Sequence, residues 1–230
     1  VASSLSATAS LPCRPPVIMD SATGSAEGGS ASGAPAALPA VSVPSNLLPG
    51  PHPLESEWVM WEHRAMDNKS KSYEDNMVEL CTMGTIEDFW RAWNNIPKPS
   101  QIFYDGRTKK RFANRAVESF SLFKKDIKPK WEDPKNTTGA EWFCRKQFPM
   151  PQLDDFWQAL ALGLIGETID PSDEICGVRV VDKSIGQRHM HRLEVWFRRK
   201  DETVANELLK QMKAALGKGE GTCKWEFRAH

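Results

Sequence analysis

Two stretches of the chain set an aromatic ring beside a carboxylate and several cations. Tyr73-Glu74-Asp75 follows Lys69 and Lys71, and Trp131-Glu132-Asp133 follows Lys124, Lys125, Lys128 and Lys130. That combination suits a nucleotide: rings stack on a base, an acid accepts hydrogen bonds from its edge, and cations meet phosphate. Two further basic clusters could extend such a site. Lys183, Arg188, Arg192, Arg198, Arg199 and Lys200 flank a segment around Trp196, while Arg107, Lys109, Lys110, Arg111 and Arg115 crowd a loop-like stretch. Most charge runs are simply solvated surface. What sets the first two stretches apart is the ring and the acid side by side.

Covalent chemistry finds little support. The sequence has no G-x-x-x-x-G-K-[ST], G-x-G-x-x-G, G-x-S-x-G or H-E-x-x-H, the patterns that cradle phosphates, expose a nucleophile or hold zinc. His189-Met-His191 lies in a basic stretch without a cysteine or carboxylate at metal spacing. Asp154, Asp155 and Asp182 read as isolated acids rather than a catalytic pair. The expectation is a binding protein with no catalytic residue, no metal and no cofactor.

Thirty basic and thirty acidic side chains cancel, which excludes a protein that coats nucleic acid through bulk charge; any such contact must be a local patch. No apolar run approaches a membrane-spanning length, so no membrane partner is expected. Nine tryptophans against two tyrosines supply large rigid π faces for stacking as well as for a core. The five cysteines are scattered and never paired as C-x-x-C. They read as reduced thiols of the cytoplasm or nucleus, and on that reading the sequons at Asn68 and Asn136 are chance.

Positioning these residues falls to one domain. Residues 1–50 hold thirty-two Ser, Ala, Gly and Pro, three charges and no aromatic. Such a tail cannot bury enough apolar surface to offset chain entropy and is expected to be disordered; it lacks the pattern of a signal peptide, and Met19-Asp20 is a candidate start of translation. Residues 51–230 suffice for a single core. Thr85 with Asp88 is a capping signature, and Ile86, Phe89 or Trp90, and Trp93 repeat at helical spacing until Pro97. The spacing predicts a second helix over 153–167, ended by Gly166, and a third over 201–216, stopped by Gly217. Seven β-rich runs separate them: Trp58–Glu62, Met77–Cys81, Phe120–Phe123, Trp142–Cys144, Ile175–Val181, Leu193–Phe197 and Lys224–Phe227. Strands in runs with single helices between them predict an α+β fold, an antiparallel sheet backed by helices.

SLFKKDIKPKWEDPKN (121–136), TIEDFWRAWN (85–94), LIGE (164–167), DEICG (173–177), HPLESEWVMW (52–61) and KSKSYEDN (69–76) together resemble eukaryotic translation initiation factor 4E, the family that binds the 5′ cap of messenger RNA. The likeness runs in order from about His52 to Leu216. It implies a curved antiparallel sheet with the cap on its concave face and three helices on its convex back. It further implies that Trp131 and Tyr73 sandwich the cationic 7-methylguanine and that Glu132 accepts from its N1–H and 2-amino group. Trp196 would touch the N7-methyl group, and Lys183 and Arg192 would grip the triphosphate, with Arg188 as a substitute for Arg192. His52, Pro53, Ile86, Trp90 and Gly166 would bind the Tyr-x-x-x-x-Leu-Φ helix of the scaffold factor 4G or of repressor proteins. The resemblance implies a cytoplasmic, also nuclear, monomer that recruits capped message to translation.

Several positions depart from the family. Tyr73 replaces the usual tryptophan, a repressor-like feature, whereas Trp58 is typical of initiating members. Glu141 stands where a basic residue near the phosphates is usual, which should weaken their grip. Gln158 replaces an apolar residue of the scaffold-binding face. About ten extra residues around Arg107–Arg115, in a basic insertion spanning roughly 98–117, form either a flexible loop or an added RNA contact. Trp58, Trp61, Trp142 and Trp157 are expected in or beneath the core, and a purely structural Trp90 is the alternative to the partner site. The rival functions are a cap-binding repressor that does not engage the scaffold and a cap-processing hydrolase. The latter needs a cluster of acidic metal ligands that the sequence lacks.

Overall fold

The computed structural model describes residues 50–65, 72–112, 115–170 and 172–230; the expected tail before Gly50 lies outside them. The β-rich runs produce seven strands: β1 (Pro53–Arg64), β2 (Met77–Thr85), β3 (Val117–Lys124), β4 (Ala140–Lys146), β5 (Ile175–Asp182), β6 (His191–Phe197) and β7 (Trp225–Ala229). They form one curved antiparallel sheet in the order β2-β1-β3-β5-β6-β4-β7. Each strand predicted from the sequence is present, most of them a few residues longer than its apolar run.

Helices α1 (Ile86–Trp93), α3 (Met150–Ile165) and α4 (Glu202–Leu216) match the three expected. The Thr85 hydroxyl caps α1 by accepting from the Asp88 amide at 3.1 Å, and Asp201 caps α4 through the Val204 amide at 3.0 Å. Gly217 ends α4 with φ +60°, a conformation that costs glycine no Cβ clash. A fourth helix, the single turn α2 (Pro99–Ile102), was not expected. Four residues are too few to display a period, so periodicity could not reveal it.

Period-two alternation splits the sheet into two unlike faces. One face carries Trp58, Met60, Phe120, Leu122, Val178, Val180, Leu193 and Val195 into the main core, where they meet Phe89 of α1, Leu153, Leu160 and Leu164 of α3, and Leu208 and Met212 of α4. Trp157 joins this core, and Trp93 stacks on it at 6.0 Å. The opposite face has only a small apolar cluster, Phe123, Ile127, Cys176 and Trp196, with Trp61 packed against it. At its centre Gly177 faces both Phe123 and Trp196 across the ladders. A Cβ there would lie 2.4 Å from the Phe123 ring, so the absent side chain lets the two rings close up. His63, Ser119, Ser121, Arg179, Arg192 and Glu194 make much of the rest of this face polar.

Candidate functional site

The polar face bears a cavity of about 490 Å³. All six residues expected to bind the cap, Tyr73, Trp131, Glu132, Lys183, Arg192 and Trp196, line it. Two loops above the sheet bring the exposed rings. Tyr73 leads a 3-10 turn, Glu74–Asn76, into β2. Its loop is closed by reciprocal bonds between Ser72 and Asp75, 2.8 and 3.3 Å. Trp131 sits in the segment 127–139, organised by two buried residues. The Asp133 carboxylate accepts from the amides of Lys128 and Lys135 at 3.0 and 2.9 Å, and the Asn136 amide donates to the carbonyls of Lys128 and Lys130 at 2.9 and 2.8 Å. The two loops are tied together: Lys130 pairs with Glu74, and the Tyr73 hydroxyl donates to the Pro129 carbonyl at 3.4 Å.

The rings stay available. Trp131 is 50 % exposed and Tyr73 38 %, Tyr73 resting edge-on against His63 at 4.2 Å. The Glu132 carboxylate is exposed, and among the described residues it has no ion-pair or hydrogen-bond partner. Every other cavity carboxylate is already engaged. Trp196, 1 % exposed, makes the floor; its indole N–H donates to Glu194 at 2.9 Å, and Phe123 and His230 meet it edge-on at 5.5 and 4.6 Å.

The strands add polar residues that the sequence reading missed: His63, Glu118, Arg179, Glu194 and Arg228. Arg179 and Glu194 alternate with core residues, as in Val178-Arg179-Val180, so only strand pairing shows them converging. Arg179 donates to Ser119 at 3.1 Å and meets Nδ1 of His63 at 3.3 Å. Burial, followed by the Arg179 charge, pulls the His63 pKa down to about 4, so the ring is neutral and Nδ1 accepts. Glu141 is fully buried beneath Arg192 and Arg228, paired with the first and 2.6 Å from the second. Burial, with Glu194 nearby, pushes Glu141 up to about 7 against the pull of both arginines. Arg192 also lies 3.2 Å from Glu194 and over the Phe143 ring at 3.9 Å, and Arg228 stands 4.6 Å from the Trp131 ring centre. Lys183 is the freest strand-end cation, with Glu118 at 3.9 Å; burial lowers its pKa. Arg188 is on an exposed turn and does not line the cavity.

On the opposite face, His52, Pro53, Ile86 and Trp90 share one corner. Pro53 pairs with Thr85 across the β1–β2 ladder, Ile86 donates its amide to the His52 carbonyl at 2.9 Å, and His52 pairs with Glu87 at 2.6 Å. Ile86 and Trp90 are 43 % and 42 % exposed. A hollow of about 340 Å³ beside Trp90 and a neighbouring one of about 430 Å³ along α3 share Gln158. Gly166 follows the C-terminal end of α3. His191 is buried against Phe103 and Asp182, and among the described residues no cluster of acids, histidines and cysteines is arranged for a metal.

The profile of the family described as eukaryotic initiation factor 4E matches residues 53–230. Eukaryotic translation initiation factor 4E1 of Drosophila melanogaster is 33 % identical over 172 residues, covering 73 % of this chain and 59 % of its own length. The chain thus spans less than two thirds of that relative. Among solved structures, Ascaris suum eIF4E-3 with the m7G cap superposes with a TM-score of 0.65 at 29 % identity, covering 79 % of this chain and 92 % of its own. Caenorhabditis elegans eIF4E-3 bound to the 4E-binding protein Mextli gives a TM-score of 0.63 at 25 % identity, over 79 % and 94 %.

Proposed function

The chain belongs to the eukaryotic initiation factor 4E family, and we propose that its cavity binds the 7-methylguanosine cap of messenger RNA to bring capped transcripts into translation. One observation carries this reading: two exposed rings and one unpartnered carboxylate, Tyr73, Trp131 and Glu132, line one cavity together with Arg179, Lys183, Arg192 and Arg228. Methylation at N7 makes the guanine a cation, so its two faces suit Trp131 and Tyr73 through stacking and cation–π attraction. Its N1–H and 2-amino group are adjacent donors that one ionised carboxylate can take together. Trp196 is a buried wall for the methyl group. Lys183 offers a charge to the triphosphate, and Arg179, Arg192 and Arg228 supply donors that Glu118, Glu141 and Glu194 partly compensate. The protein acts by binding, in the cytoplasm, and makes or breaks no covalent bond.

On the opposite face, Trp90 and Ile86 beside the two hollows suit an amphipathic helix of the Tyr-x-x-x-x-Leu-Φ kind, on a scaffold factor or a repressor. The capture of Mextli by the nematode neighbour supports a partner of that class. A second reading, a cap-binding repressor that bypasses the scaffold, draws on Tyr73 and on Gln158, whose polar side chain lines both hollows.

Replacing Glu132 with Ala tests the cap reading. Two charge-assisted bonds, each worth about 1.5–3 kcal/mol before non-additivity, should be lost, nearly abolishing retention on an immobilised cap analogue. A folded Glu132→Ala protein keeping more than about half its affinity, far above what such a loss allows, would remove Glu132 as the reader of the base.

A further inference from the structure

Lys183, which lines the cavity, leads out of β5 into one of two turns held against each other. The first belongs to the basic insertion. Phe103 and Tyr104 are buried, and Tyr104 bridges to Lys109. Asp105 closes the turn between them by accepting from the amides of Arg107 and Thr108 at 2.7 and 2.8 Å, and Gly106 takes φ +98°. The second is the β5–β6 turn, closed by the Ile185–Arg188 bridge. The Tyr104 hydroxyl donates to the Gln187 carbonyl at 2.8 Å, and the Lys109 ammonium reaches the carbonyl and carboxylate of Asp182 at 3.2 and 3.5 Å. Asp182 immediately precedes Lys183. The insertion is therefore fixed to the rim of the cavity.

Its charges are not all spent on that anchoring. Lys109 is neutralised by Asp182 and Arg115 by Glu62, 2.9 Å away. Arg107, Arg111 and Arg188 are exposed and have no carboxylate partner among the described residues; the Lys110 ammonium donates to the Gln101 carbonyl at 2.7 Å and lies in the field of Asp105 without forming an ion pair. On a protein of zero net charge, that is a local cationic excess on one rim, with the 78 % exposed Ile185 at its edge.

We propose that Arg107, Lys110, Arg111 and Arg188 bind the phosphodiesters that follow the cap, making this rim a track for the RNA body. The inference rests on the cap-binding reading and extends it. A single-stranded polyanion fits better than an acidic protein because the turn that carries Arg188 begins at the cavity-lining Lys183, where the triphosphate would leave. Phosphate contacts of this kind hold any sequence equally.

The test titrates wild-type protein and the triple variant Arg107→Gln, Lys110→Gln, Arg111→Gln with 7-methyl-GTP and with a short capped RNA, at two salt concentrations. Tyr104, Asp105 and Lys109 stay, so the turn keeps its anchors. Wild type should bind the capped RNA about tenfold more tightly than 7-methyl-GTP at low salt, with a logarithmic salt slope steeper by about 3 for four added single-strand contacts. The variant, which retains Arg188, should lose most of both gains and keep its 7-methyl-GTP affinity. If wild type gains nothing from the RNA body, or the variant keeps the gain, the rim is not the track and its cations are left to an acidic partner; 7-methyl-GTP binding would then still stand. Failure of wild type to bind 7-methyl-GTP would overturn the cap reading and the track with it.

Discussion

A phenol covers less of a purine than an indole does and presents a weaker face to a cation. Tyr73 is therefore the residue whose exchange should strengthen the site. Tyr73→Trp should tighten 7-methyl-GTP binding by about 0.5–1.5 kcal/mol, the scale of one aromatic contact, and tighten GTP less; titration with both nucleotides checks it. A weaker variant would mean that Tyr73 only supports His63. Glu141 works in the other direction. With its pKa raised to about 7, it gains a proton as the pH falls through neutrality, and Arg192 and Arg228 lose a competing carboxylate. Polyanion binding should favour that protonated form, so 7-methyl-GTP affinity should be higher at pH 6 than at pH 8. In Glu141→Gln the pH dependence should shrink to that of the nucleotide alone, the difference being several-fold because one pKa unit is worth a factor of about ten. Identical pH profiles would show that Glu141 stays charged. At this scale the sequence was legible wherever a ring and an acid stand together in a polar loop, as at Trp131-Glu132. It was silent on Arg179, Glu194 and Arg228, whose meeting depends on the registers Arg179–Glu194 and Glu141–Arg228.

The elements divide their tasks by face. Short β-rich runs were enough to announce all seven strands, because the β-branched and aromatic residues that a sheet buries, such as Val178, Val180 and Val195, cluster in them. Helices α1, α3 and α4 announced themselves through caps and period; α2 did not, being one turn long. The loops that carry Tyr73 and Trp131 are ordered by side-chain bonds to backbone, from Ser72 and Asp75 in the first and from Asp133 and Asn136 in the second, a device with no period to read. Helix α1 projects Trp90 outward on the face away from the cavity, with the sheet and the main core between. Trp90→Ala should leave 7-methyl-GTP binding unchanged and weaken a Tyr-x-x-x-x-Leu-Φ peptide by about 2 kcal/mol or more, as expected of an aromatic anchor. Calorimetry with both ligands measures the two effects, which should be independent at this separation. Loss of both together would make Trp90 a structural residue.

As a whole the molecule is a neutral protein with a sharply partitioned sheet: one side apolar and covered by helices, the other polar and hollow. Zero net charge means that affinity must come from the shape and charge of the hollow and not from the global field. Recognition should then turn on the one feature that separates a methylated guanine from an ordinary one, its positive charge between two rings. Titration of the tryptophan fluorescence of the whole protein with 7-methyl-GTP and with GTP measures that discrimination directly. Trp131 and Trp196 should be quenched by the methylated nucleotide, which should bind at least about tenfold more tightly than GTP, consistent with a partly desolvated cation–π pair. Equal affinity for the two nucleotides, or no quenching by either, would contradict the reading of this cavity as a cap site.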